Sequence, residues 1–423
     1  MPRVADEWLR RVLRNLYQRR TVTRADILES TRLNPASVSH ALQLLMERGL
    51  VLRVGQIESN GGRRRELLKL NADAGYFVAV DLEGTSIRFA LTNFVGDIRC
   101  RWEADIDFGE TLDIQRIIGG IDRVLRNLSS HERSQALAVG ISHPGISEHG
   151  RVTAFNLGWS GFPLIDELKK RVSLPIFVEK YHRTCILAER SVGAAQGKKN
   201  CIYVILGIGV GIGGLVQGRL LEGHHGMAGE VGHITIDPQA KDRCNCGRFG
   251  CLEAIASSPN IVRQYLERNK RTRQARAMRV TEVFEAARQG DRTAVEVLDR
   301  AAKCLGLAIA HTVNLLNPEL IIFGGDVDEA QDVLLGKVKD EILRHTLPKL
   351  TEGLEITVSA LGLDIGLKGA ASLAFHNSLA EPRLLKRMCE PCHFSAPAPN
   401  APVVSPPAPR RRSRLKSGLP ILS

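Results

Sequence analysis

Three patterns of hydrophobic and polar positions divide the chain. From Glu7 to Arg19 apolar residues return with helical spacing, with Trp8, Val12, Leu13 and Leu16 on one face and Arg10, Arg11, Arg14 and Arg19 around it. Thr21-Val-Thr23-Arg-Ala-Asp26 then reads as a Thr-capped short helix, with Asp26 at the position that returns the cap. Leu33-Asn34-Pro35 forms a turn in which Asn34 caps the next helix and Pro35 opens it. That helix, over 35–48, turns Val38, Leu42 and Leu45 inward and stops at Gly49. Its early polar positions, Ser37, Ser39, His40 and Gln43, are expected outward, where they suit base edges and phosphates. Alternation from Leu50, a Ser59-Asn-Gly-Gly62 turn and a return through Arg63-Arg64-Arg65 complete a two-stranded wing. Together these elements predict a winged helix-turn-helix domain over 1–72 that reads double-stranded DNA through the helix and the wing arginines. A helical protein-docking domain with a solvated charge run is the competing interpretation.

From Tyr76 the period becomes that of strands. Phe77–Asp81 runs into Gly84-Thr85, Ile205–Gly214 carries alternating glycines, and Leu320–Phe323 ends at Gly324-Gly325-Asp326. Glycine-rich hairpins are common, and each is weak alone. In this order, with helical segments at 112–128, 184–196 and 294–316 between them, they predict two similar α/β lobes around a cleft. The segment 70–76 would link head to cleft. Beyond residue 376 the chain turns Pro-rich and basic, which predicts a disordered C-terminal tail over 377–423. Cys389-x-x-Cys392-His393 has haem-attachment spacing, but in such a tail it reads as chance.

The densest chemistry lies at His233, Cys244, Cys246 and Cys251. Thiolate and imidazole are the ligands zinc prefers, and Gly247 and Gly250 supply the freedom a tight knuckle over 233–253 needs. Three unrelated buried thiols would be the plain alternative. A metal fixing this loop would also fix Glu230 and Glu253, two acids able to grip hydroxyls of a small polar ligand.

Composition narrows the picture. The 423 residues allow two or three domains, and no apolar run is long and glycine-free enough to span a bilayer. The start of the chain has no apolar signal core, so the expected location is the cytoplasm. Nine scattered cysteines fit reduced thiols plus one metal site. The net charge of +12 is split evenly between the two ends, 1–75 and 378–423, leaving the middle neutral, as expected of a body whose ends meet a polyanion.

Over residues 1–376 the chain resembles the ROK (repressor, open reading frame, kinase) family, in its transcription-regulator branch. The resemblance rests on Gly61-Gly62-Arg63-Arg64, Asp81-x-x-Gly84-Thr85, Pro144-Gly145, Asn156-Leu157-x-Trp159, Ala228-Gly229-Glu230-Val-Gly232-His233, the cysteine knuckle, Gly324-Gly325 and Gly369-Ala370-Ala371. It implies an actin-like (ribonuclease H-like) two-lobed sugar-kinase fold over 76–376. It also implies structural zinc at His233, Cys244, Cys246 and Cys251, and sugar contacts from Asn156, Glu230, His233 and Glu253.

The chain departs from the family's kinases at Val178-Glu179-Lys180-Tyr181, where they carry Val-Glu-Asn-Asp and the last Asp is the catalytic base. Tyr181 stands in that place, and a phenol is protonated at neutral pH. Glu83 replaces a glycine of the first phosphate loop, and Ile208 a hydroxyl residue of the second. The expectation is therefore a non-enzymatic regulator, a homodimer or tetramer that binds an operator and senses a sugar. An active kinase with a DNA-binding head is the rival. Lys180 and Arg183 leave three cleft states open: an acidic or phosphorylated sugar, a neutral sugar, or no ligand.

Overall fold

Capping chemistry sets the N-terminal elements. The computed structural model describes residues 4–57, 65–83, 86–106, 111–148, 150–154, 157–270 and 278–388. Helix α1 (Val4–Arg19) leads through β1 (Thr21–Thr23) into α2 (Arg24–Thr31). Thr23 and Asp26 make the reciprocal box: the Asp26 carboxylate accepts from the Thr23 amide at 2.7 Å, and the Thr23 hydroxyl accepts from the Asp26 amide. Asn34 Oδ1 accepts from the Ser37 amide at 2.8 Å and starts α3 (Pro35–Glu47). Gly49, at φ +67°, ends it. Strands β2 (Val51–Ile57) and β3 (Arg65–Leu70) pair antiparallel, and β1 adds to the far side of β3. This is a helix-turn-helix followed by a wing.

The body is built from one topology used twice. In the first lobe β4 (Tyr76–Asp81), β5 (Ser86–Asn93) and β6 (Ile98–Asp105) run antiparallel. Helices α4 (Ile114–Leu125) and α5 (Ser130–Ser134) lead to β7 (Ala136–His143), which lies parallel to β4. A small sheet of β8 (Ile146–Glu148), β9 (Arg151–Ala154) and β10 (Trp159–Phe162), then α6 (Leu164–Lys169), precede β11 (Ile176–Lys180), parallel to β7. The sheet order is β11-β7-β4-β5-β6.

After α7 (Tyr181–Val192), the second lobe repeats the plan. Strands β12 (Cys201–Leu206), β13 (Val210–Val216) and β14 (Arg219–Leu220) run antiparallel. The knuckle and four helices follow, α8 (Leu252–Ala256), α9 (Ser258–Arg268), α10 (Val280–Arg288) and α11 (Arg292–Leu316). Strand β15 (Leu320–Gly325) pairs parallel to β12. Beyond α12 (Gly336–His345) and α13 (Pro348–Thr351), β16 (Glu355–Val358) pairs parallel to β15. The order β14-β13-β12-β15-β16 matches the first lobe strand for strand. Helices α14 (Ile365–Ala380) and α15 (Pro382–Met388) close the described chain. This is the expected two-lobed actin-like architecture.

Two boundaries differ from the sequence reading. The packed chain continues past residue 376: Leu379, Leu384, Leu385 and Met388 are all buried. Arg387 also donates to the Ser134 and Ala136 carbonyls at 3.0 and 3.1 Å. Pro382 breaks the apolar period but suits the first turn of α15, which is why the signal was missed. The expected tail from 389 to 423, with Cys389 and Cys392, lies outside the described residues. The head is also more than a module on a link. Leu13, Leu16 and Tyr17 of α1 share one apolar core with Phe77, Phe94, Phe375 and Leu385 of the body, and Tyr17 stacks on Phe375 with centroids 3.8 Å apart.

Candidate functional site

The knuckle forms between β14 and α8. His233 ends a one-turn 3-10 helix, Val231–His233, and its ligand atom lies within 4.8 Å of the sulfurs of Cys244, Cys246 and Cys251, all four mutually. His233 Nδ1 is 3.5 Å from Cys244 Sγ, and Cys246 Sγ is 3.7 Å from Cys251 Sγ. Four ligands around a metal with metal–sulfur bonds of ~2.3 Å leave tetrahedral edges of about 3.8 Å, so the donor set fits a zinc-sized ion. Gly250, at φ +69°, is required: a Cβ there would stand 1.9 Å from the Asp237 carbonyl. Asp242 ties the knuckle to α9 and α11 through Arg263 at 3.0 Å and Arg300 at 2.6 Å.

The two acids flanking the knuckle face one cleft. Glu253, in the first turn of α8, accepts from the Val210 amide at 3.2 Å. A side chain at Gly209 would strike its carboxylate, 2.7 Å from the added Cβ. Glu230 caps the 3-10 turn, and its carboxylate accepts from Lys180 Nζ at 2.7 Å. The Lys180 side chain is 1 % exposed and that of Glu230 28 %. This pairing was not legible in the sequence, because the residues are fifty positions apart and on different lobes' elements. Next to it Arg183 holds Glu179 at 2.8 Å and the Gly226 carbonyl at 3.0 Å. Burial, with the charges of Lys180 and Arg183, pushes His182 down to about 3. Burial, Lys180 and Arg183 likewise oppose charging of His143, which falls to about 4. Both imidazoles are thus neutral, and the buried Nε2 atom of each has no partner. The fourth expected sugar contact, Asn156, lies outside the described residues.

Buried acids gather where the resemblance implies a phosphoryl site. Asp81, fully buried at the end of β4, is bonded by Arg88 of β5 at 2.5 Å. Burial nevertheless pushes its carboxyl up to about 6. Glu83 is pushed up to about 8 by burial and by Asp81. Tyr181 opens α7, and burial holds its phenol well above the usual range. Across the cleft Asp326 is bonded by Ser258, and Asp328 is raised to about 6 by burial and by Asp326 and Glu329. Ile208 is exposed in the second loop. A cleft end lined with carboxylates is poorly suited to a polyanion.

On the head, Ser39, His40 and Gln43 are exposed as expected, but Ser37 is buried. The inward stripe of α3 is wider than the sequence suggested, taking in Ser37 and Ala41 beside Val38, Leu42 and Leu45. Arg24, which sequence reasoning passed over, is exposed and donates to Ser39 Oγ at 3.2 Å. Arg65 is exposed at the start of β3; Arg63 and Arg64 lie outside the described residues. Among the described residues, no helix is long and apolar enough to cross a membrane.

The sequence signature of the ROK family matches residues 77–377. A glucokinase of Halalkalibacterium halodurans is 36 % identical over 314 residues, covering 70 % of this chain and 94 % of the relative. A xylose repressor of Caldicellulosiruptor bescii is 29 % identical over 384 residues, covering 88 % of this chain and 96 % of the relative. Among solved structures, a ROK family transcriptional regulator described as a homologue of the Escherichia coli MLC protein superposes with a TM-score of 0.74 at 27 % identity. That match covers 90 % of this chain and all of the other.

Proposed function

The chain belongs to the ROK family, and we propose that it is a sugar-responsive transcription regulator, a repressor that binds an operator through its winged head. The observation that carries this reading is the head itself. The repressor relative aligns over 88 % of the chain, whereas the glucokinase relative covers only 70 %. In the proposed complex α3 enters the major groove with Ser39, His40 and Gln43, and Arg63, Arg64 and Arg65 meet the backbone. Zinc, held by His233, Cys244, Cys246 and Cys251, would lock the loop that presents Glu230 and Glu253. Those acids, with His233 and Asn156, would contact the sugar. A twofold pairing of heads on a palindromic site implies a homodimer or tetramer.

The second reading, a working sugar kinase, has the glucokinase relative in its favour. Against it stand Tyr181 at the base position and the Arg88 guanidinium on Asp81, which would have to leave before Asp81 could serve a metal–nucleotide complex. Two assays on the full chain separate the readings. Genomic footprinting is expected to find specific sites, and ADP release with a panel of sugars is expected to stay at background. Turnover abolished by Asp81→Asn would decide for the kinase, and indifference to duplex DNA at physiological salt would remove the regulator.

A further inference from the structure

Between α3 and the wing stands a cation that no acidic side chain among the described residues answers. The capping box of Thr23 and Asp26 fixes the first turn of α2, and Arg24 is its first residue. Arg24 is exposed, and its Nη1 donates to Ser39 Oγ on the outward side of α3 at 3.2 Å. On its other side β1 pairs with β3 as far as Thr23 and Leu67, so Arg24 follows one residue beyond that pair, where β3 starts at Arg65 and Glu66. Arg24 therefore lies between α3 and the strand that leads down from the wing arginines. The neighbouring acids are held by other groups. Asp26 accepts from the Thr23 amide and hydroxyl at 2.7 and 2.8 Å, and Glu66 pairs with Arg53 at 3.5 Å. Glu47, farther along α3, accepts from Gln43 at 2.9 Å.

An arginine that donates through Nη1 alone keeps its Nε–Nη2 edge open, and that planar fork takes two oxygens of a phosphate at once. A helix in the major groove and a wing beside it are separated by one sugar–phosphate strand, because the backbone is the wall between adjacent grooves. A cation set between the two elements meets that wall and not a base edge. We propose that Arg24 is a phosphate clamp, gripping the DNA backbone between α3 and the wing while Ser39 holds its guanidinium in place. The inference rests on the operator-binding reading above and adds a contact that positions α3 without reading sequence.

The test is fluorescence anisotropy of the full chain on two duplexes, one of arbitrary mixed sequence and one an operator fragment recovered by footprinting, each titrated across a range of salt. Arg24→Gln is expected to weaken binding to both by about fivefold per bound head near ~0.15 M salt, and to lower the slope of log affinity against log salt by about 0.9 per head. Arg24→Lys keeps the charge and loses the fork, so it should recover most of the slope. Both variants should melt with the wild type, since the position is exposed. Unchanged affinity and slope in Arg24→Gln, with the wild type binding DNA, overturn the clamp and leave the regulator standing. A loss confined to the operator at constant slope makes Arg24 a base reader, and an equal loss in both variants with a lowered Tm makes it a structural tie; either result also overturns the proposal. A wild-type chain that ignores both duplexes removes the operator-binding reading itself, and this contact with it.

Discussion

Lys180 shows how one substitution reshapes a cleft. The Lys180 side chain is 1 % exposed, and the Glu230 carboxylate at 2.7 Å offsets the cost of burying it. The carboxylate expected to grip a sugar hydroxyl is therefore already engaged, and a ligand must share or displace that hydrogen bond. Removing one partner leaves the other uncompensated. Lys180→Met is expected to lower unfolding free energy by roughly 2 kcal/mol, below the ~3–5 kcal/mol of a fully buried pair because Glu230 remains partly solvated. Adding Glu230→Gln should recover part of that loss, giving a coupling of about 1–2 kcal/mol in a denaturant-unfolding double-mutant cycle. Additive losses would mean the pair carries no interaction. At this scale the sequence was informative about single positions and blind to pairs. Tyr181, Glu83 and Ile208 stand out by register, but the Arg88–Asp81 contact follows from the pairing of β4 with β5, in which the two residues face each other, and leaves no linear signature.

Elements were legible where local chemistry specifies them. Thr23, Asp26, Asn34 and Pro35 announce their helices by cap geometry, and each does what its position predicts. Ser37 was misplaced because one-face periodicity underestimates how wide a stripe a three-sided core demands. Helix α15 was lost because Pro382 at its start interrupts the apolar period that runs through α14. The knuckle is the opposite case, since ligand spacing and two glycines specify it almost completely. Its proposed zinc yields a sharp expectation. Cys246, the most exposed of the three thiols, can be changed to serine with little packing loss. Cys246→Ser should lower metal affinity by more than the about 10–100-fold seen when only a ligand's supporting hydrogen bond is removed. Metal analysis of the purified protein would then fall from one zinc per chain toward none, while residues 230–253 become more open to proteolysis. Full metal content in the variant would show that the cysteines do not act as a set.

At the scale of the molecule, the shared core between head and body decides how a signal could travel. Helix α7 begins at the Lys180–Glu230 pair and runs to the seam between head and body. Ser191 near its end meets Ser372 of α14 at 2.7 Å, and Gln196 just beyond it donates to the Gln18 carbonyl of α1 at 3.3 Å. Thr184 and Gly369 are packed so closely that a Cβ on Gly369 would lie 2.2 Å from the Thr184 carbonyl, so α7 and α14 meet backbone to backbone. Displacing Lys180 would thus bear on the surface where α1 rests, a physical route that the segment 70–76 alone would not provide. That route needs α14 and α15 complete, because Leu379, Leu385 and Met388 fill the same core as Leu13, Leu16 and Tyr17. Truncation distinguishes this architecture from the tail expected at 377. A chain ending at Met388 keeps every one of these core residues and is expected to unfold at the Tm of the full protein. A chain ending at His376 gives up four buried apolar side chains, worth roughly 1.5–3 kcal/mol each at full burial. It should melt many degrees lower, with the head becoming the first part to exchange amide protons. Equal melting of the two truncations would mean that α15 contributes nothing to the seam, and that the head is held by α1 alone.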